Sequence, residues 1–231
     1  THLVNNFNGR RKDSKWRPRA GLILKPTETL SLYTSYSTSF LPQSGDQFTV
    51  LDATTDDLRP EKFENIEAGR KWAIKPDLFA TAAVFQLDRS NTRAVDPNDT
   101  TLTVLTGKSR VQGVEMGLVG KVMPNWQTSF GYTYLDGEIR STTTAAPAGR
   151  RLHQLPKHQI SLWHRYDLTA NFGLGAGVIH QSKQFACVSN AVALPSYWRV
   201  DAAAYYTVND RLSIQLNVEN LFDEGYYASA H

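Results

Sequence analysis

The chain has 231 residues, of which 41% are hydrophobic, 11% aromatic and 20% charged, with a formal net charge of +3. That composition excludes a disordered tail and gives no reason to expect the dense basic stripe of a nucleic-acid binder. The single Cys187 forms no intrachain disulfide, no Cys/His cluster has zinc spacing, and no run approaches the roughly 18–20 apolar residues of a membrane-spanning helix. A negative mean hydropathy still admits a membrane barrel, whose strands meet lipid on alternate residues only.

Five short turns are predicted: Lys25-Pro26-Thr27-Glu28, Lys75-Pro76-Asp77, Met123-Pro124-Asn125, Thr169-Ala170-Asn171 and Val208-Asn209-Asp210. Their Pro, Asn and Asp content suits tight hairpins. Measured at Pro26, Pro76, Pro124, Ala170 and Asn209, they recur at steps of 50, 48, 46 and 39 residues. Each step holds a strand, a longer polar segment and a returning strand, with the longer segments at 41–60, 91–103, 141–155 and 188–194. Short turns alternating with long loops predict an all-β, antiparallel transmembrane β-barrel, turns on the periplasmic side and loops outside. A soluble sandwich has no reason to keep that asymmetry.

Ten strands are predicted in chain order, at 16–25, 29–40, 61–74, 78–90, 107–122, 126–139, 157–168, 172–186, 196–207 and 211–222. Most exceed ten residues, where a mean soluble strand has about 5–6 and a tilted transmembrane strand needs about 9–11. Trp126, Thr128, Phe130, Tyr132 and Tyr134 alternate with polar or small residues, as do Val200, Ala202, Ala204 and Tyr206, and then Leu212, Ile214, Leu216 and Val218. In the seventh strand Ile160, Leu162, Tyr166 and Leu168 share a face that His164 interrupts, and Trp163 sits on the polar face. Trp72, Trp126, Tyr132, Tyr134, Tyr206 and Phe222 fall toward strand ends, where barrels carry aromatic girdles. The opposite face holds Arg19, Glu67, Lys71, Glu115, Arg165, Asp167, Arg199, Asp201 and Glu219. A narrow barrel fills its inside with side chains, so this many lumenal charges indicate a wide one. After Leu221-Phe222-Asp223 no further amphipathic strand is read, and an open sheet edge cannot face hydrocarbon. The expectation is a fragment of a larger barrel.

Several stretches resemble one family. Trp16-Arg17-Pro18-Arg19-Ala20-Gly21-Leu22, with the Lys25 turn and Leu30-Ser31-Leu32-Tyr33-Thr34-Ser35-Tyr36-Ser37 after it, is similar to the middle barrel of TonB-dependent siderophore receptors. So are Leu58-Arg59-Pro60-Glu61-Lys62-Phe63-Glu64-Asn65-Ile66-Glu67-Ala68-Gly69, Ser109-Arg110-Val111-Gln112-Gly113-Val114-Glu115, and Asn217-Val218-Glu219-Asn220-Leu221-Phe222-Asp223-Glu224-Gly225-Tyr226-Tyr227. Leu155-Pro156-Lys157-His158 and Ser189-Asn190-Ala191-Val192-Ala193-Leu194-Pro195-Ser196-Tyr197 resemble the ferric-catecholate type in particular. The resemblance implies a plug inside a barrel of about 22 strands, with residues 1–231 forming its C-terminal part and the plug, earlier strands and last strand outside them. It further implies ferric-siderophore import across the bacterial outer membrane, powered by TonB through the plug, among lipid and lipopolysaccharide. Two other readings of the residues are a passive porin or small ten-stranded barrel, an enzyme among them, and a soluble sandwich.

Ferric catecholates are anionic and aromatic, so a receptor presents cations, hydrogen-bond donors and aromatic rings at its mouth. Candidates on or beside the long segments are Lys108, Arg110, Arg140, Arg150, Arg151, Gln184, Phe185, Asn190, Tyr226 and Tyr227. The Arg150-Arg151 pair is the most suggestive, although it also suits a solvated loop or lipopolysaccharide phosphates. No cofactor and no metal-ligating residue is expected, since the siderophore itself holds the iron. Lumenal Arg165, Arg199, Glu67 and Glu219 are expected to pair with the plug or with one another. His153, His158 and Asp201 come with no Gly-x-Ser-x-Gly elbow, so no catalytic residue is named. Gly173, Gly175 and Gly177 share one strand face and are expected to leave room for something packed inside.

Overall fold

The computed structural model describes residues 14–41, 60–91, 93–95, 103–105, 107–142 and 146–230. The long segments at 41–60 and 91–103 lie largely outside these. Fourteen strands follow in chain order: β1 (Arg19–Thr27), β2 (Leu30–Leu41), β3 (Glu61–Lys75), β4 (Leu78–Ser90), β5 (Arg93–Val95), β6 (Thr103–Leu105), β7 (Lys108–Met123), β8 (Trp126–Ile139), β9 (His158–Asp167), β10 (Phe172–Gln181), β11 (Gln184–Phe185), β12 (Ala193–Leu194), β13 (Tyr197–Asn209) and β14 (Leu212–Val218). Ten of them make one sheet in the order β1-β2-β3-β4-β7-β8-β9-β10-β13-β14, with each neighbouring pair antiparallel. These ten are the ten predicted strands. Pro76-Asp77, Pro124-Asn125 and Thr169-Ala170-Asn171 turn as predicted, whereas Lys25, Pro26 and Thr27 lie in β1 and Val208 and Asn209 in β13, so those two turns fall at Glu28-Thr29 and Asp210-Arg211. In four of the five hairpins the register shifts just beside the turn. The pairs β5–β6 and β11–β12 are small separate hairpins within the longer connections.

Strict pairing sorts the side chains. One face carries Ile66, Val84, Met116, Phe130, Leu162, Leu174, Val178, Val200 and Leu216, related across the sheet by register. Among the described residues nothing packs on it: Ile66, Val84, Met116, Leu174, Ile214 and Leu216 are all exposed, and the buried hydrophobics are few. Water disfavours so large an apolar face; hydrocarbon does not. Near the short turns that face ends in Trp72, Trp126, Tyr166, Phe172 and Tyr206, and toward the other end it carries Tyr134, His158, His180 and Trp198. Along β8 the stretch from Trp126 to Tyr134 covers about 21 Å of height, at roughly 3.4 Å per residue and a tilt of about 40°. His164 does not break this band as bare polarity, because its Nδ1 accepts the indole N–H of Trp126 at 3.1 Å.

The opposite face is polar and internally paired. Arg165 bonds Asp167 at 2.9 Å and lies 4.3 Å over the Tyr205 ring. Arg199 bonds Asp201 at 2.8 Å and reaches Glu219 at 3.8 Å, while the Tyr33 hydroxyl donates to Glu67 at 2.5 Å. Glycines sit under rings on this face. Tyr33 covers its direct partner Gly69, Phe85 covers Gly113, and Trp163 covers Gly175 and Gly177. The room left by these last two is thus filled from the next strand.

Three boundaries differ from the sequence reading by three residues or more. The predicted strand 172–186 stops at Gln181, where its ladder reaches the first residues of β9 and closes with Ser182 N–H donating to the His158 carbonyl. Gln184 and Phe185 then pair with Leu194 and Ala193. The predicted strand 211–222 ends at Val218, two residues before Asn220 turns left-handed at φ 52°. Trp16 stands 97% exposed ahead of β1 and joins no strand.

Candidate ligand-binding mouth

At the long-loop end β8 rises past β9, and the chain returns beside it. Leu135, Ile139 and Leu152 donate their N–H groups to the carbonyls of Lys157, Arg150 and Gly137 at 2.8, 2.8 and 3.1 Å. Glycine at 137 lets the Leu155 and Leu152 side chains close over the strand, since a Cβ there would displace their terminal methyls. Ile139, Ala146 and Val188 form a buried cluster with Leu152 against it, which joins this loop to the one after β10. Asn190 completes the joint. Its amide accepts from Arg151 N–H at 3.0 Å and donates to Arg151 C=O at 2.9 Å, so the side chain pairs with the backbone as a strand would.

The segment after β14 packs against the same unit. Asn220 N–H donates to Asp201 at 2.8 Å, and the Asn220 side chain closes a turn on Glu224. Tyr226 stacks on Tyr197 with centroids 4.4 Å apart, and its hydroxyl accepts from Arg199 at 3.1 Å. Gln184 donates to the Ala228 carbonyl at 3.0 Å and Gln154 to that of Ala230 at 2.7 Å. Between the two loops lies a cleft of about 460 Å³ with an apolar wall of Leu135, Leu152, Leu155 and Phe185 and with Arg151, Lys157 and Lys183 on its lining.

The ten candidate residues divide between two places. Arg151, Gln184 and Phe185 line the cleft; Asn190 holds the joint behind it, Tyr226 stacks in the returning segment, and Tyr227 is 67% exposed there. Arg150 follows Gly149 in the same loop, and its guanidinium has no partner among the described residues. Lys108, Arg110 and Arg140 are elsewhere. Arg110 grips Asp88 in two bonds of 2.7 and 3.0 Å on the apolar-face side of the sheet, beyond the aromatic band, with Lys108 on the same face by register. Arg140 pairs with Glu138, and the Arg151 guanidinium turns to Asp136 on that face too. The His and Asp residues given no catalytic role from sequence have structural partners: the His158 ring nitrogen meets the Tyr132 hydroxyl, and Asp201 serves Arg199 and Asn220. Among the described residues no three His, Cys, Asp or Glu side chains converge as metal ligands.

Lys157, Lys183, Leu152, Leu155 and Gln154 were not among the binding candidates named from sequence, although Leu155 and Lys157 belong to a stretch that carries the ferric-catecholate resemblance. The two lysines could have been, since they stand at the loop ends of β9 and β10, where an outer mouth must lie. Two loop groups are tuned. Burial, reinforced by Arg89, lowers the His153 pKa, and its Nδ1 has no hydrogen-bond partner among the described residues. The Ser189 hydroxyl, 2.9 Å from Sγ, holds the Cys187 thiol below its usual value.

A lipid-compatible face, a paired polar face, tight turns at one end and interlocked loops at the other define a segment of an outer-membrane β-barrel. The chain belongs to the TonB-dependent receptor family: residues 1–221 match the model described as TonB dependent receptor-like, beta-barrel. The siderophore receptor PiuA of Acinetobacter baumannii is 36% identical over 92% of this chain and 31% of that protein. Its crystal structure superposes with a TM-score of 0.79, over 92% of this chain and 32% of that one. The catecholate siderophore receptor Fiu of Escherichia coli is 34% identical over 91% of this chain and 29% of that protein; its closed form superposes with a TM-score of 0.76, covering 91% and 31% of the two chains. The chain spans about a third of the length of these relatives. They are receptors, not enzymes, and their barrels place this chain in the outer membrane.

Proposed function

We propose that this chain is part of a receptor that imports ferric siderophores of the catecholate type, driven by TonB through a plug supplied elsewhere in the polypeptide. The cleft carries this reading. Its Leu135, Leu152, Leu155 and Phe185 wall suits a flat aromatic arm, and Lys157 and Lys183 answer the negative charge of a ferric tris-catecholate. A volume of about 460 Å³ lies within the roughly 300–1,000 Å³ usual for ligand sites. The name of Fiu points the same way. The two exposed sheet edges, β1 and β14, need partner strands in a membrane, which supports a larger barrel.

The test is binding of ferric catecholate, hydroxamate and mixed siderophores to the full-length receptor in detergent, followed by the Phe185→Ala and Lys183→Ala variants. Tight catecholate binding that both variants weaken supports the reading. Preference for another class overturns the catecholate assignment, and a folded receptor that binds none overturns siderophore import.

A further inference from the structure

Gln154 and Gln184 come from two different loops, yet their amides donate to alternate carbonyls, Ala230 and Ala228, of one segment. Neither bond is incidental. Gln184 is 5% exposed and also borders the cleft, so its amide in that buried position would lose a hydrogen bond without Ala228. Gln154 holds a left-handed backbone at φ 51°, a conformation that glutamine, unlike asparagine, does not favour. That conformation lets its N–H reach the Phe185 carbonyl at 2.8 Å while its side chain reaches Ala230. The same segment is fixed at its start by Asn220 on Glu224 and in its middle by Tyr226 on Tyr197.

We propose that residues 224–230 form an outer wall at the rim of the ligand cleft, beyond Gln184, latched in place by Gln154 and Gln184 as positioning residues, with exposed Tyr227 as the ring this wall offers to an aromatic, anionic ligand. The inference rests on the siderophore reading above. The latch pre-organises the wall, so that binding does not have to order it. Tyr226 is committed to Arg199 and Tyr197, whereas Tyr227 is 67% exposed and has its ring free among the described residues.

The test uses the full-length receptor with Gln154→Met and Gln184→Met together, which keep side-chain bulk and remove both donors. Chymotrypsin cleavage after Tyr226 and Tyr227 is timed, and affinity for a ferric tris-catecholate is measured beside it. Faster cleavage together with about tenfold weaker binding is expected. Unchanged cleavage overturns the latch, and faster cleavage at unchanged affinity overturns the wall. Weaker binding without faster cleavage makes the glutamines direct ligand contacts, which also overturns the latch. If the unsubstituted receptor binds no ferric siderophore, the wall falls with that reading, while the cleavage rates still decide the latch. Should the double variant fail to assemble, Gln154→Met alone, at an exposed position, carries the same comparison.

Discussion

Trp163 on β9 lies against Gly177, the residue directly opposite it on β10, and extends over Gly175 as well, where an added Cβ would come within 2.6 Å of the ring. The indole therefore occupies the volume that two side chains would take, on the face turned away from lipid. Gly177→Ala forces the ring off its seat and is expected to destabilise the barrel by about 1–3 kcal/mol, as overpacking does. The check is the temperature at which the folded band is lost in detergent electrophoresis. Adding Trp163→Ala to Gly177→Ala should recover part of the loss; a purely additive double variant would show that the ring and the glycine are not coupled.

Arg150 and Arg151 are adjacent in sequence but not in role. The Arg151 guanidinium is committed to Asp136, and its backbone to Asn190. Arg150 has no side-chain partner among the described residues. Arg150→Ala is therefore expected to weaken ferric-siderophore binding by about tenfold, the loss of one charge-assisted contact, with thermal stability unchanged. Arg151→Ala should instead loosen the loop. Titration and melting of the two single variants decide between these roles, and equal effects on both would remove the distinction.

Asn190 combines a left-handed backbone, φ 58°, with two bonds to Arg151. Asn190→Gly keeps the backbone conformation and removes the bonds, whereas Asn190→Ala removes the bonds and strains the backbone. The bonds lost in either variant are worth about 1 kcal/mol each, and alanine adds roughly another 1 kcal/mol. Amide exchange of residues 150–152 measures both. If glycine left their protection unchanged, the Asn190 amide would not be the fastener.

The sheet was legible because its rule is simple: period-two alternation over more than ten residues, interrupted by Pro- and Asn-containing turns. The mouth was not, and the reason is parity. Glu115 was read as facing inward, and Arg110 and Lys108, at odd separations from it on the same strand, must then face outward, as the Asp88–Arg110 pairing across β4 and β7 shows. Taken as loop residues, they escaped that constraint. The joint at Asn190 and the latch at Gln184 depend on where two loops meet, 39 residues apart for Arg151 and Asn190 and 44 for Gln184 and Ala228. No local pattern encodes such meetings. The Gly173, Gly175 and Gly177 series did announce a close approach, but only pairing with β9 identified Trp163 as the neighbour.

His153 gives the mouth a pH dependence with a definite sign. Its folded pKa lies below the usual value, chiefly through burial and further through Arg89, and its Nδ1 has no partner among the described residues to receive an added proton's hydrogen bond. The opened loop therefore binds a proton more readily than the closed one. Closed-loop stability is complete above the unfolded value of about 6.5 and declines as pH falls from there toward the lowered folded value. Proteolysis of the 146–157 loop in the full-length receptor should accelerate as pH falls below about 6.5, and His153→Gln should flatten that rise. A wild-type rate that stayed level across the window would mean that His153 is protonated as easily in the closed loop as in the open one.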